Sequence, residues 1–284
     1  MVILERYQVA VEKFIADKGY LDNPRVLGIV VCGSYTTGYE HEGSDIDVHV
    51  IMKTGFLERI TRAFKIIRGA RTLEIEPKTY EVEEYKIEYF EKPISDLYAS
   101  ARRDYKRHSN ALVPIIAKSN VVYSRGNQLR RLREYITKKY SKPLPPLDGN
   151  DAGEEIVIDY NKVEELRYMS ANNRPEFDYY YYYVVRKLKE AYSKMCGCAD
   201  VPEDKVIRIY TDPNYREAFC KSTVPDQEFV DMFISAITAK MTNEEKVAMV
   251  EKMWEHMNRN YLIDPKNYEM LVRSRNDWRS PHNK

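Results

Sequence analysis

The residues best suited to chemistry lie between Cys32 and Met52, in the stretch CGSYTTGYEHEGSDIDVHVIM. An apolar run ends at Gly33 and Ser34, where a helix can begin and its free backbone N–H groups can hold phosphate. Gly33 allows the backbone to approach an anion closely, and the Ser34 hydroxyl adds a donor. This part of the stretch therefore predicts a phosphate-binding turn.

Two aspartates separated by one residue, Asp45 and Asp47, follow in the same stretch. On a strand, residues i and i+2 point to the same face, so the two carboxylates would lie side by side and repel each other. A cation between them removes that repulsion, and Mg²⁺ prefers one or two carboxylates together with substrate phosphates. Phosphate donors beside a carboxylate-bound metal are the parts needed for nucleotidyl or phosphoryl transfer.

The elements that position these residues alternate between strand and helix. Residues 26–32 form a continuous apolar run that is typical of a buried strand. Residues 45–52 alternate polar and apolar side chains, which is typical of a strand with one exposed face. The other elements predicted in the first half are helices at 1–18, 56–67 and most of 94–140, and strands at 71–76, 82–91 and 120–123.

The second half of the chain is predicted to be helical. Residues 141–150 (SKPLPPLDGN) contain three prolines and a glycine, and we assign 143–150 as a linker. Helical periodicity follows at 156–169, 175–195, 226–240 and 243–260. The sequence thus predicts an α+β fold, in which a β-sheet domain with flanking helices at 1–142 precedes an all-α bundle at 151–284.

The ordered set Gly33-Ser34 and Asp45-Ile46-Asp47 resembles the signature of the DNA polymerase β-like nucleotidyltransferase superfamily. In that signature an apolar strand ends in Gly-Ser, and the next strand carries Asp-x-Asp. The resemblance implies a small mixed β-sheet that binds a nucleoside triphosphate and one or two Mg²⁺ ions. The alternative is a Gly-Ser turn followed by an edge strand with two solvated aspartates.

The resemblance also assigns roles to individual residues. Asp45 and Asp47 would bind the metal, and the donor nucleotide is predicted to be ATP. Cations for its triphosphate are expected from the basic stretch 102–142, which could equally bind a nucleic-acid backbone or form a solvated helix face. The residues assigned to the nucleotide are Gly33, Ser34, Thr37, Arg103 and Lys106.

The family implies a third carboxylate on a later, adjacent strand, where it would complete the metal site and act as base on the acceptor hydroxyl. The candidates are Glu74, Glu76, Glu88 and Glu91. We choose Glu88 because it is central in the predicted strand. An additional strand-like piece, LEIEPKTYEVEE, departs from the expected pattern, so Glu76, Glu74 or no third acid stay open.

The second half carries a more diffuse likeness to bacterial members with a helical second domain. Its segments are PEFDYYYYYVVRKLKEAY, PEDKVIRIYTDP and PDQEFVDMF. The resemblance implies that the helical domain presents the acceptor, and that the protein is similar to enzymes that adenylylate aminoglycosides or lincosamides. We therefore predict transfer of a nucleoside monophosphate to a hydroxyl of a small polar acceptor. The alternatives are a protein, RNA or oligonucleotide acceptor, and a non-catalytic nucleotide-binding module.

Composition limits the partners that can be expected. The chain has 45 Lys+Arg against 44 Asp+Glu, so charge gives no global reason for a nucleic-acid or membrane partner. No apolar run approaches the roughly 18–20 residues that cross a bilayer. Four scattered cysteines do not suggest a disulfide framework, so a reducing, cytoplasmic location is expected. His49 shares the strand parity of the aspartates, and a packed or solvated ring is favoured over a role in the site.

Overall fold

The computed structural model describes residues 2–55, 77–106, 112–140, 144–199, 201–221 and 223–266. The predicted elements at 56–67 and 71–76, and the alternative acids Glu74 and Glu76, lie outside these residues. The chain divides into two compact units. The first comprises Met1–Leu144 and Ala199–Thr223, and the second comprises Pro145–Cys198 and Val224–Lys284.

The described elements of the first unit begin with a helix and continue into a sheet. They are α1 (Val2–Asp17), β1 (Val26–Cys32), α2 (Ser34–Thr37), β2 (Ile46–Met52), β3 (Lys78–Val82), β4 (Tyr85–Pro93), α3 (Ile94–Lys106), α4 (Leu112–Ala117), β5 (Asn120–Ser124), α5 (Gln128–Tyr140), α8 (Val206–Thr211) and α9 (Pro213–Ala218). The last two helices lie C-terminal to the predicted linker but belong to this unit.

The five described strands form one mixed sheet in the order β3-β4-β2-β1-β5. Strands β2 and β4 pair in parallel, and the other pairs are antiparallel. Every residue of β1 is buried, as its apolar run predicts, because β1 lies between β2 and β5 with helices on both faces. The predicted mixed sheet with flanking helices is thereby confirmed.

Two apolar clusters cover the two faces of this sheet. One joins α1, through residues such as Phe14, to Ile46, Val48 and Val50 of β2. The other joins Ile51 to residues of α3, α4 and α5. Side chains alternate along β2, so Asp47 points to the face opposite α1.

The strand predicted at 82–91 is divided by a turn. Residues 78–82 and 85–93 form the antiparallel hairpin of β3 and β4, with Val82 opposite Tyr85. Glu83 in the turn has a φ of 54°, a left-handed conformation. The sequence did not predict this turn, because the turn contains neither Gly nor Pro and the alternation of apolar and charged residues continues through it.

The second unit is helical in its described residues, which confirms the predicted helical region. Its helices are α6 (Gly149–Ala171), α7 (Phe177–Met195), α10 (Gln227–Thr238) and α11 (Asn243–Asn258). Side-chain caps explain where several begin: Asp148 accepts from two backbone N–H groups of α6, and Thr242 forms a capping box with Glu245 in α11. Among the described residues, no helix is long and apolar enough to cross a membrane.

The five consecutive tyrosines lie at the start of α7 and point in different directions, as expected on a helix. Tyr181 is fully buried and donates to the backbone carbonyl of Ala236 at 2.8 Å. Tyr179 is 82% exposed. Part of this run therefore holds α7 to α10, and part of it faces solvent.

Candidate active site

Gly33 connects the buried strand β1 to the short helix α2. Its φ of 76° and ψ of −153° lie in a region that side chains other than hydrogen strongly disfavour. A Cβ at this position would overlap the Oδ2 atom of Asp47. Glycine is thus required twice, by the turn itself and by the carboxylate that lies against its Cα. The turn and the Asp-x-Asp strand are in contact, as the sequence pattern requires.

The sheet register brings three carboxylates together. Asp47 is paired with Cys32 of β1 on one side and with Glu88 of β4 on the other. Because β2 and β4 are directly hydrogen-bonded neighbours, the Asp47 and Glu88 side chains lie next to each other on one face. Asp45 precedes β2 by one residue and is joined to Glu88 through Lys86.

Lys86 lies between two of these carboxylates. Its Nζ donates to Oδ2 of Asp45 at 2.7 Å and to Oε1 of Glu88 at 3.1 Å. These hydrogen bonds, to Asp45 first and Glu88 second, raise the pKa of Lys86. An ammonium group thus partly neutralises a cluster that carries three negative charges when it is fully ionised.

The environment of Asp47 disfavours the ionised form of its side chain. Burial raises its pKa, repulsion from Glu88 and Asp45 adds to the rise, and attraction by Lys205 offsets part of it, so the pKa reaches about 6. A carboxylate in this condition gains from a further cation. Cationic ligands of the site are therefore favoured by the structure itself.

Lys205 and its neighbours come from a segment that the sequence analysis left without a role. Lys205 immediately precedes α8 and lies over the Phe219 ring at 5.2 Å. Arg208 lies over the rings of Tyr39 and Tyr215, at 4.5 and 4.3 Å. Tyr39 follows the Gly-Ser turn, so these contacts attach α8 and α9 to the turn within the first unit. The sequence signal for this segment was PEDKVIRIYTDP, one of the segments of the second-half likeness, which begins with Pro202 and carries Lys205.

The other predicted nucleotide ligands have local contacts in the structure. The Thr37 hydroxyl donates to the Gly33 and Ser34 carbonyls of its own helix. Arg103 lies in α3 and donates to Ser100 at 3.0 Å, and Lys106 ends the same helix. Their assignment to the nucleotide stays a prediction.

His49 is packed rather than placed at the open end of the site. It is 3% exposed, stacks on Phe90 with ring centroids 5.0 Å apart, and has a pKa lowered to about 3 by burial and by Lys92. The neutral ring lies on the same face of the sheet as Asp47 and Glu88, two residues further along β2. The favoured packed reading of His49 is confirmed.

The donor set fits a hard divalent cation. Asp45, Asp47 and Glu88 offer only carboxylate oxygens, which are the ligands that Mg²⁺ takes. The raised pKa of Asp47 and the bridging position of Lys86 both show that positive charge is needed at this point. Asp45, Asp47 and Glu88 therefore have the ligand chemistry to hold Mg²⁺.

Among the described residues, the acidic, His and Cys side chains whose ligand-type atoms all lie within 4.8 Å of one another are Asp226, Glu228 and His256, in the second unit. Asp226 Oδ2 faces the Nε2 atom of His256 at 3.1 Å, whereas Glu228 Oε2 faces the Nδ1 atom at 3.5 Å. Each carboxylate thus faces a different nitrogen of the same imidazole ring. Arg259 also pairs with Glu228 at 3.0 Å. This cluster fits an ionic hydrogen-bond network better than a metal site.

The first unit thus combines a mixed sheet with a Gly-Ser turn that contacts neighbouring carboxylate-bearing strands. Residues 11–123 match the family model of the nucleotidyltransferase domain, so this part of the chain is a nucleotidyltransferase domain, the class of transferase that moves nucleotidyl groups. The chain is also similar to a nucleotidyltransferase-like protein from Exiguobacterium sibiricum, with 11% identity, a TM-score of 0.46, and coverage of 89% of this chain and 75% of that one. No curated protein matches the chain.

Proposed function

We propose that the protein transfers a nucleoside monophosphate from a nucleoside triphosphate, ATP first among them, to a hydroxyl of a small polar acceptor. The observation that carries the proposal is the convergence of Asp45, Asp47 and Glu88 beside Gly33, with the pKa of Asp47 raised to about 6. Mg²⁺ held by these carboxylates would neutralise charge on the phosphates and orient them.

Different residues are suited to binding the phosphates and to accepting the proton of the acceptor. Lys205, whose charge reaches Asp47, and the backbone and hydroxyl of Ser34 are suited to the terminal phosphates. Glu88, half-exposed beside Asp47, accepts the proton of the acceptor hydroxyl. The acceptor oxygen then forms a bond to the α-phosphorus, the bond from that phosphorus to the β-bridging oxygen breaks, and pyrophosphate leaves with the electron pair.

The small polar acceptor rests on the resemblance of the helical second half to antibiotic-modifying enzymes. Purified protein would be incubated with radiolabelled ATP, Mg²⁺ and panels of aminoglycosides, lincosamides and other polyols. Transfer of label to a member of these panels, with release of pyrophosphate, is the expected result. Label on the protein itself or on added RNA would instead identify a macromolecular acceptor.

The donor site is tested separately from the acceptor. Calorimetric titration with non-hydrolysable ATP and GTP analogues, with and without Mg²⁺, would compare wild type with the Asp45→Asn/Asp47→Asn double variant. Binding that needs Mg²⁺ and disappears in the variant is expected. Equal binding by the variant would remove these carboxylates from the site.

A nucleic-acid acceptor has one observation in its favour. Arg130, Arg133 and Lys138 of α5 line a groove of about 660 Å³ together with Val121 of the edge strand β5. Binding of RNA to this groove would weaken steeply with salt, because cations on phosphates release counterions. Fluorescence anisotropy with a labelled RNA hairpin, measured at two salt concentrations on wild type and an Arg130→Gln/Lys138→Gln variant, decides between the two acceptors.

A further inference from the structure

We propose that Lys86 is a tethered cation that occupies the place of the divalent ion between Asp45 and Glu88. Its displacement makes binding of the metal depend on binding of the nucleotide. This inference rests on the proposed function, because it treats the two carboxylates as ligands of the metal.

The geometry of Lys86 suits a cation that can leave. Lys86 lies on β4 two residues before Glu88, so both side chains project from the same face of the strand. Its Nζ atom contacts one oxygen of each carboxylate, at 2.7 and 3.1 Å. The side chain is 44% exposed, so it can swing into solvent without opening the core.

An ammonium group and a divalent ion cannot share this position. Two cations within about 4 Å repel each other strongly at the low effective dielectric of a partly buried site. A metal ion that binds Asp45 and Glu88 therefore has to displace Lys86 and compete with its two ion pairs. In the absence of another anion, that competition weakens the affinity of the site for the metal.

A nucleoside triphosphate changes the balance because it supplies a new partner for the displaced group. Lysine binds phosphate as a point charge on a flexible stem, and the phosphates of the donor bring several negative charges to this cluster. The ammonium released by the metal can pair with them, so metal and nucleotide favour each other's binding. By linkage, the factor is the same in both directions.

The neighbouring strand offers a matched control. Lys78 of β3 pairs with Glu91 of β4 at 2.6 Å and has a similar exposure, 56%. Its partner is not one of the three clustered carboxylates. Lys78→Gln therefore removes the same charge from the same sheet without emptying the gap between Asp45 and Glu88.

The test measures binding of Mg²⁺ by calorimetry, with and without a non-hydrolysable ATP analogue, in wild type, Lys86→Gln and Lys78→Gln. Lys86→Gln should bind Mg²⁺ alone about tenfold more tightly than wild type, because a competing charge is gone. The enhancement of Mg²⁺ affinity by the analogue should shrink in this variant. Lys78→Gln should resemble wild type in both measurements.

Two outcomes separate this inference from the proposed function. If wild type binds Mg²⁺ and Lys86→Gln binds it equally or more weakly, Lys86 does not compete with the metal and this inference alone is overturned. If none of the proteins binds Mg²⁺ with or without the analogue, the metal site of the proposed function fails as well. Thermal unfolding of each variant verifies that the substitution leaves the fold intact.

Discussion

The two carboxylate clusters of the molecule shift the pKa of a buried aspartate in opposite directions. In the first unit, burial and repulsion from Glu88 and Asp45 raise the pKa of Asp47 to about 6. In the second unit, burial also raises the pKa of Asp226, but hydrogen bonds from Tyr192, His256 and the Phe229 backbone N–H outweigh it and lower the pKa to about 2.

The opposite pKa shifts distinguish a candidate ligand site, at Asp47, from a structural helix cap, at Asp226. Asp226 caps α10 and has its donors supplied by the protein, so nothing further is needed to stabilise its charge. Asp47 is partly buried beside two acidic neighbours, so an external cation improves its environment. Repulsion between carboxylates that remains in the folded protein thus indicates a site for a cationic ligand.

The largest effect is expected from Asp47→Asn. Loss of a metal-ligating carboxylate should reduce nucleotidyl transfer at least about 1,000-fold, which corresponds to roughly 4 kcal/mol of barrier. Pyrophosphate release measures this change, with the exposed Asp22→Asn as a control of unchanged activity. Transfer within tenfold of wild type would show that Asp47 does not hold the reacting group.

Gly33→Ala should destabilise the first unit by about 2–4 kcal/mol, because a side chain both strains the backbone and overlaps Asp47. Gly38→Ala gives a comparison at a second positive φ, 75°, where the backbone is left-handed helical (ψ 23°, against −153° at Gly33) and the space around the Cα is open. Its cost should be about 1 kcal/mol. Urea unfolding compares the two, and a loss at Gly33 no larger than that at Gly38 would contradict the predicted combined cost of the Gly33 turn and its Asp47 contact.

The two clusters should change the free energy of unfolding in opposite directions as the pH rises: Asp226 adds to it and Asp47 lowers it. The folded pKa of Asp226 lies below its unfolded value of about 3.9, so its contribution is present above pH 4 and is lost as the pH falls toward 2. The folded pKa of Asp47 lies above its unfolded value, so its ionisation costs stability above about pH 6, and the cost disappears below about pH 4.

Unfolding free energies of the ion-free protein between pH 2 and 7 measure both effects. At pH 7, Asp226→Asn should lose about 1 kcal/mol because a cap and its hydrogen bonds are weakened. Asp47→Asn should gain about 1 kcal/mol, after allowance for the partial exposure of the side chain. Two losses of the same size at pH 7 would remove the contrast between the clusters.

The smallest effect is expected from His256→Gln. The charges of this group are already paired, with His256 between Asp226 and Glu228 and Arg259 on Glu228, so the affinity of the whole protein for Mg²⁺ should stay within about twofold of wild type. Calorimetric titration measures it. A larger loss of affinity would place a metal in the second unit.

Local sequence was sufficient for part of the site. Gly33 and the pair Asp45 and Asp47 were identified because a turn glycine and alternating carboxylates act over a few residues, where backbone preferences decide. Strand β1 was predicted from its continuous apolar run and the long helices from their periodicity, which are also patterns among neighbours in the chain. The hairpin turn at Glu83 was missed because its residues carry no turn signal.

What the sequence by itself determined is the Gly-Ser turn, the two aspartates and the succession of strands and helices, all set by neighbours in the chain. The tertiary structure alone decided that Glu88 pairs with Asp47, since that depends on the register of two strands distant in sequence. It also placed Lys86 between the carboxylates and brought Lys205 from beyond the linker to the first unit. Electrostatic interactions depend on distance in space, and only the folded chain fixes those distances.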